Sequence, residues 1–240
     1  MWSSRLIKFF GVLAGLQLIF AVFIFIVNNE PAFRATIGMA ILGLYILWII
    51  ICGMLMKKYR DRIRDFIQKI NINWKVKFVL FATILALFEE IITTLMTNTA
   101  PLYGVTPEIV HITASTNYLD VVLSHSVILF FPMFIIWAFI LGRYYISPNA
   151  VFILWGLSGW FMEALFRGFG HSLEIGMWVF VYGLMIYLPA YSIPQDRVAG
   201  KPGFWMYPLF VLIPLLGVIP GGLIATVIKI FRPPNFFPGF

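Results

Sequence analysis

Charged residues are scarce in this sequence, and their scarcity decides the class of protein. Asp, Glu, Lys and Arg make up 11% of the 240 residues, against about 25% in an average soluble domain. Hydrophobic residues make up 61%, and the mean hydropathy is +0.94. A surface with so few charges cannot face water, which excludes a soluble globular protein and predicts a membrane protein.

Cysteine is nearly absent, since Cys52 is the only one in the chain. A single cysteine excludes an intramolecular disulfide and a zinc site built from cysteines. Its flanks, WIIICGMLM, favour a buried apolar side chain. The sequence also lacks a glycine-rich phosphate loop, an internal repeat and a low-complexity tract.

Long apolar windows fill most of the chain, and a helix of about 20 such residues crosses a bilayer. Turn-forming segments such as SPNA and NTAPLYGVTPE separate them. We therefore predict an all-α, polytopic transmembrane helical bundle of about seven helices, forming one integral membrane domain over residues 1–240. Pro208 and Pro214 interrupt the last window, which leaves a kinked span and a re-entrant segment as alternatives. The windows are Ile7–Val27, Ala35–Met56, Phe78–Thr97, Tyr118–Leu141, Val151–Gly168, Gly176–Ser192 and Trp205–Phe231.

Lysine and arginine are distributed unevenly between the loops. With a cytoplasmic N-terminus, thirteen of the 17 lie in inner segments and four in outer segments. The positive-inside rule favours this orientation. We expect a multi-pass protein of the plasma membrane, with the lipid bilayer as its main partner and no nucleic acid partner.

The segment KKYRDRIRDFIQKI, within residues 57–75, accounts for much of the net charge of +7. Ile63, Phe66, Ile67 and Ile70 recur at helical spacing, and cations occupy the rest of the helix. We predict an amphipathic interfacial helix on the cytoplasmic side, with anionic inner-leaflet lipid bound at 57–70. A helix that binds a partner protein would show the same pattern.

Two adjacent carboxyl groups, Glu89 and Glu90, interrupt the apolar stretch LALFEEIITTLMTN. Glu89 lies about 17 Å from the inner end of its window and about 12 Å from the outer end. A carboxylate facing lipid at that depth would cost at least a few kcal/mol. The pair is therefore expected to face protein or a wet cavity, with a hydrogen-bonded clasp between helices as the structural alternative.

Other acids and histidines fall at a similar depth in the predicted bundle. His125 lies roughly 10 Å below the outer surface, and Glu163 about 18 Å from the inner end of its helix. His171 and His111 lie in outer loops, so the predicted cluster is confined to the outer half. The alternative for Glu163 is a purely structural role, in an i,i+4 ion pair with Arg167.

The hexapeptide EALFRG, Glu163–Gly168, resembles part of the first motif of the CAAX-processing and bacteriocin-processing intramembrane proteases, EExxFRG. Such proteases imply nearby Glu and His side chains that activate a metal-bound water. The match stops at six residues. Met162 stands in place of the first Glu, the pair in FEEIITT has Thr94 in place of the Arg, and only His171 follows. The sequence is not assigned to this family.

Three functions are compatible with the cluster. The first is a membrane-embedded, metal-dependent hydrolase with Glu89 and Glu90 as catalytic residues and Glu90, His125, Glu163 and His171 as ligands of a divalent metal such as zinc. The second is a proton- or cation-coupled transporter, because intramembrane acids are typical ion sites. The third is a non-catalytic subunit of a membrane complex with a membrane protein partner.

Overall fold

A computed structural model describes residues 2–168 and 173–237, except for the side chain of Arg167. The regular structure within these ranges is helical, without a strand. The helices are α1 (Trp2–Val27), α2 (Pro31–Lys69), α3 (Trp74–Thr97), α4 (Tyr118–Ser124), α5 (Val127–Arg143), α6 (Pro148–Arg167), α7 (Ile175–Tyr191) and α8 (Met206–Phe231).

The helix lengths indicate a membrane protein, but the predicted count of about seven spans is not confirmed. Among the described residues, five helices (α1, α2, α3, α6 and α8) are long and apolar enough to cross a membrane. The pair α4–α5 adds a sixth if it forms one span. Helix α7 is apolar but has 17 residues, about 25 Å, which is shorter than a hydrocarbon core of about 30 Å.

Helix α7 lies at the centre of the bundle, where α1, α2, α3 and α6 pack around it. Thirteen of its residues, from Gly176 to Ala190, are buried. Its sequence is apolar on every side, which is the pattern of a fully enclosed helix. Burial by neighbouring helices therefore explains why α7 lacks a polar face.

A glutamine in the apolar helix α1 satisfies the start of α7. The Gln17 Nε2 amide donates to the carbonyl oxygen of Leu173, and its Oε1 accepts from the backbone N–H of Met177 at 2.9 Å. The first N–H groups of a helix have no partner within the helix. Gln17 supplies one partner inside the bundle and fixes α7 against α1.

Helix α2 runs without interruption from the bundle into the basic segment. Its 39 residues extend over roughly 55 Å, well beyond a hydrocarbon core of about 30 Å. Residues Ala40–Cys52 have π-helical hydrogen bonding. The basic part packs beside the end of α7, where the Tyr191 hydroxyl donates to Asp61 Oδ1 at 2.7 Å. Whether this part lies on lipid stays a prediction.

A sharp bend separates α4 from α5. The two helices meet at 43°, and the carbonyl oxygen of Val121 accepts from the N–H groups of both His125 and Ser126. Val127 then begins the next helix. His125 lies at this break in the backbone, and its side chain is half-buried.

Helix α8 continues through Pro208 and Pro214, the prolines for which the sequence left a kinked span and a re-entrant segment as alternatives. Residues Ile213–Gly217 form a 3₁₀ segment, and the helix resumes at Val218. Its second half packs on α5, where Pro132 removes the donor for the carbonyl oxygen of Ile128. A β carbon on Gly221 would lie 2.8 Å from that oxygen, so glycine permits this close approach.

Candidate functional site

A cavity of about 480 Å³ lies in the half of the bundle where α3, α6 and α8 end. We call this end of the bundle the distal end; the positive-inside rule predicts that it faces the outside. Helices α3, α6, α7 and α8 and the α4–α5 bend contribute its walls. The polar and charged lining residues discussed below are Glu89, Glu90, His125, Glu163, Tyr182 and Lys229.

Glu89 is a buried carboxyl group in the wall of this cavity. Its exposed fraction is 5%, and it lies eight residues before the end of α3, about 12 Å along the helix axis. None of the described residues donates a hydrogen bond to its side chain. A buried carboxylate is stable only with a donor, a cation or a proton. Glu89 lines the cavity, so a donor, a cation or a proton can reach its carboxyl group from there.

Glu90 lines the same cavity but is held by hydroxyl groups. The Thr93 Oγ1 donates to Glu90 Oε2 at 3.1 Å, and the Thr113 Oγ1 donates to the same oxygen at 3.5 Å. Thr93 lies one turn along α3, whereas Thr113 comes from the loop between α3 and α4. Glu89 and Glu90 thus line the same cavity, and hydroxyl groups from α3 and from the loop hold the Glu90 carboxyl group.

Glu163 of α6 is the third acid in the cavity wall. The Tyr182 hydroxyl of α7 donates to Glu163 Oε1 at 2.5 Å. Because three carboxyl groups share a space of low dielectric, they cannot all be ionised without compensating charge. The predicted ion pair of Glu163 involves the side chain of Arg167, which lies outside the described part of the structure.

The structure therefore brings together four of the five residues predicted for the site. Glu89, Glu90, His125 and Glu163 line one cavity, whereas His171 lies outside the described residues. The described ranges contain no group of three or more His, Cys, Asp or Glu side chains that could hold a metal ion. The metal ligands named from the sequence thus stay a prediction that this geometry does not support.

The C-terminal segment 232–237 folds back over the distal end. The Arg232 guanidinium pairs with the buried Asp120 carboxylate at 3.1 Å, and the Asn235 N–H donates to the same carboxylate at 3.0 Å. The Phe237 ring stacks on His111 with centroids 4.3 Å apart. Phe236 lies edge-on to His125. The segment therefore packs on the loop between α3 and α4.

Helices α6 and α8 both line the cavity, and some of their lining side chains are exposed. The first turns of α8, Met206–Leu212, pack on α6, whereas its second half, Val218–Phe231, packs on α4 and α5. The lining side chains Phe166 and Lys229 are themselves exposed. The cavity therefore reaches the exposed surface of the bundle beside α6 and α8.

Tyr182, Lys229 and Thr113 were missed as site residues in the sequence. Tyr182 lies on a helix that is apolar throughout, and Lys229 lies on the Pro- and Gly-interrupted last window. One signal was present: Tyr182 follows Trp178 by four residues, so a helix carries both on one side. Neither residue spacing nor composition, however, predicts that Tyr182 of α7 contacts Glu163 of α6.

Helices of this length and a buried acidic cavity belong to a polytopic membrane protein. Comparison with known proteins adds no narrower class, because no family model, curated protein or solved structure matches this chain.

Proposed function

We propose that this protein is a proton- or cation-coupled membrane transporter whose ion site is Glu89 with Glu90 and Glu163. The observation that supports it is the Glu89 carboxyl group, which is 5% exposed, lines a cavity of about 480 Å³ and receives no hydrogen bond from a described residue. A group of this kind binds and releases a cation or a proton at little structural cost. Multi-pass insertion into the plasma membrane with a cytoplasmic N-terminus is part of the proposal.

The transporter is tested in vesicles of phosphatidylethanolamine and phosphatidylglycerol that contain a pH-sensitive dye. Under an imposed membrane potential, we expect the wild type to carry protons above the protein-free background, and Glu89→Gln to return the flux to that background. Glu108→Gln is the matched control, because Glu108 is exposed and a hydrogen bond from the Thr106 hydroxyl lowers the pKa of its carboxyl group. Wild-type flux at background with proton, sodium and potassium gradients alike, or unchanged flux in Glu89→Gln, would contradict the transporter.

The metal-dependent hydrolase is the second candidate, since Glu90, His125 and Glu163 line one cavity. Metal analysis of detergent-purified protein separates it from the transporter. We expect the zinc content to stay well below one ion per chain. Near-stoichiometric zinc that disappears in Glu90→Gln would replace the transporter by the hydrolase.

Anionic lipid is the proposed partner of the basic segment 57–70. Lys57, Lys58 and Arg62 are exposed there, whereas Arg64 is paired with Asp61 at 3.1 Å. Replacing the three exposed cations with Gln is expected to weaken binding of phosphatidylglycerol by about 1 kcal/mol per charge near the membrane surface. Native mass spectrometry of the retained lipid measures this, with Arg34→Gln at the opposite end as control. Equal retention by the triple variant and the control would exclude a lipid site at 57–70.

A further inference from the structure

We infer that the substrate of this cavity is a zwitterionic amphipath that enters from the bilayer. Its ammonium group would lie against Glu89 and Glu90, its anionic group near Lys229, and its acyl part beside α6 and α8. This inference rests on the proposed function, because it names the substrate class of the same site.

The charges in the cavity wall are arranged by depth. Glu89 and Glu90 lie eight and seven residues before the end of α3, whereas Lys229 lies two residues before the end of α8. Since both helices end at the distal end, the negative groups are deep and the positive group is shallow. The Lys229 Nζ lies 4.8 Å from the centre of the Phe236 ring, which holds the ammonium at the cavity mouth. A ligand with a cation and an anion complements both.

The deep polar group that needs a ligand is Glu89. Glu90 accepts from Thr93 and Thr113, and Glu163 accepts from Tyr182. Glu89 is as deeply buried, lines the same cavity, and receives no hydrogen bond from the described part of the chain. An ammonium group, which carries donors and positive charge, supplies both missing interactions.

The route of entry follows from what surrounds the cavity. At the distal end, Phe236 lies against His125 and under Lys229, and the pairing of Arg232 with Asp120 holds the segment in place. At the side, Phe166 of α6 is 68% exposed and lines the cavity. This side of the cavity is therefore apolar and exposed, which suits an amphipath whose acyl part remains in the bilayer.

Four probes test the inference on delipidated protein in a non-ionic detergent, with binding followed by native mass spectrometry. Phosphatidylethanolamine carries both charges and acyl chains, phosphatidylglycerol only the anion, dodecylamine only the cation, and glycerophosphoethanolamine both charges without acyl chains. In the cavity, measured as the binding that Glu89→Gln reduces, we expect phosphatidylethanolamine to bind most tightly. Glu89→Gln and Lys229→Gln should each weaken it by about tenfold, the effect of losing one charged hydrogen bond. Glu108→Gln and Lys201→Gln, both exposed outside the cavity, should leave it unchanged.

Each of the other outcomes would overturn a different part of the inference. If dodecylamine binds as tightly as phosphatidylethanolamine and Lys229→Gln has no effect, the ligand is a cation without an anionic group; the zwitterion is then wrong while the transporter stands. If glycerophosphoethanolamine binds as tightly, the ligand comes from water and lateral entry is wrong. If Glu89→Gln and Lys229→Gln both leave the binding of phosphatidylethanolamine unchanged, the zwitterion and the cation site both fail; phosphatidylglycerol bound at 57–70 would be insensitive to either substitution.

Discussion

The double variant Glu89→Gln, Glu90→Gln is expected to insert into the membrane, to unfold at a higher temperature than the wild type, and to lose all proton flux. Glutamine keeps the size and shape of glutamate, so the packing of α3 is preserved. It removes two groups whose ionisation inside a bilayer costs about 3 kcal/mol each even on a lenient scale. Natural binding sites commonly sacrifice stability for function in this way.

The size of the stability change is set by the hydrogen bonds that already exist. Glu90 has its hydroxyl donors, so most of the gain comes from Glu89. A gain of roughly 1 kcal/mol corresponds to a rise of about 2–4 °C in a chain of this length. Thermal unfolding in detergent measures it, with Glu108→Gln as the variant that should not move the midpoint.

The opposite pair of results would assign the two acids to structure. If the double variant unfolds at a lower temperature and the remaining folded protein still carries protons at the wild-type rate, the pair joins helices and binds no ion. Both site-based functions, the transporter and the hydrolase, would then be excluded. The non-catalytic membrane subunit would remain, and its stoichiometric co-purification with another protein would be the next measurement.

The depth of the polar residues could be predicted from the sequence because depth along a helix is a local quantity. Counting residues from the ends of three apolar windows places Glu89, His125 and Glu163 in the same half of the bundle, and the structure lines one cavity with them. The helical class could also be predicted, because lipid offers no hydrogen-bond partners and a spanning helix satisfies its own backbone N–H and C=O groups.

Rotation and neighbourhood could not be predicted, because they depend on packing between distant segments. The contact of Tyr182 with Glu163, and that of Gln17 with the start of α7, join helices far apart in the chain. The burial of α7 also depends on its neighbours, because a window of 17 apolar residues shows the length of the helix but not that other helices surround it. Asp120 lies in the first turn of α4, and its ion pair with Arg232 likewise joins segments that are distant in the sequence.

The second large effect is expected from Gly156→Ala, which adds one methyl group between α6 and α7. A β carbon at this position would lie 2.5 Å from the carbonyl oxygen of Val179 and 2.9 Å from its Cα. Both are backbone atoms, which cannot rotate away as a side chain would. The two helices must therefore separate, and overpacking of this kind typically costs about 1–3 kcal/mol. We expect a lower unfolding temperature in detergent.

The same substitution is expected to reduce proton flux although it changes no polar residue. Helix α6 carries Glu163 and α7 carries Tyr182, so a shift between them disturbs the hydrogen bond that holds the third acid in the cavity. Gly15→Ala is the matched control, because nothing lies within 4 Å of its β-carbon position and alanine favours a helix over glycine. Equal unfolding temperatures for the two variants would show that the α6–α7 contact is not what fixes the site. A drop in stability with full flux would show instead that Glu163 and Tyr182 act independently of this packing.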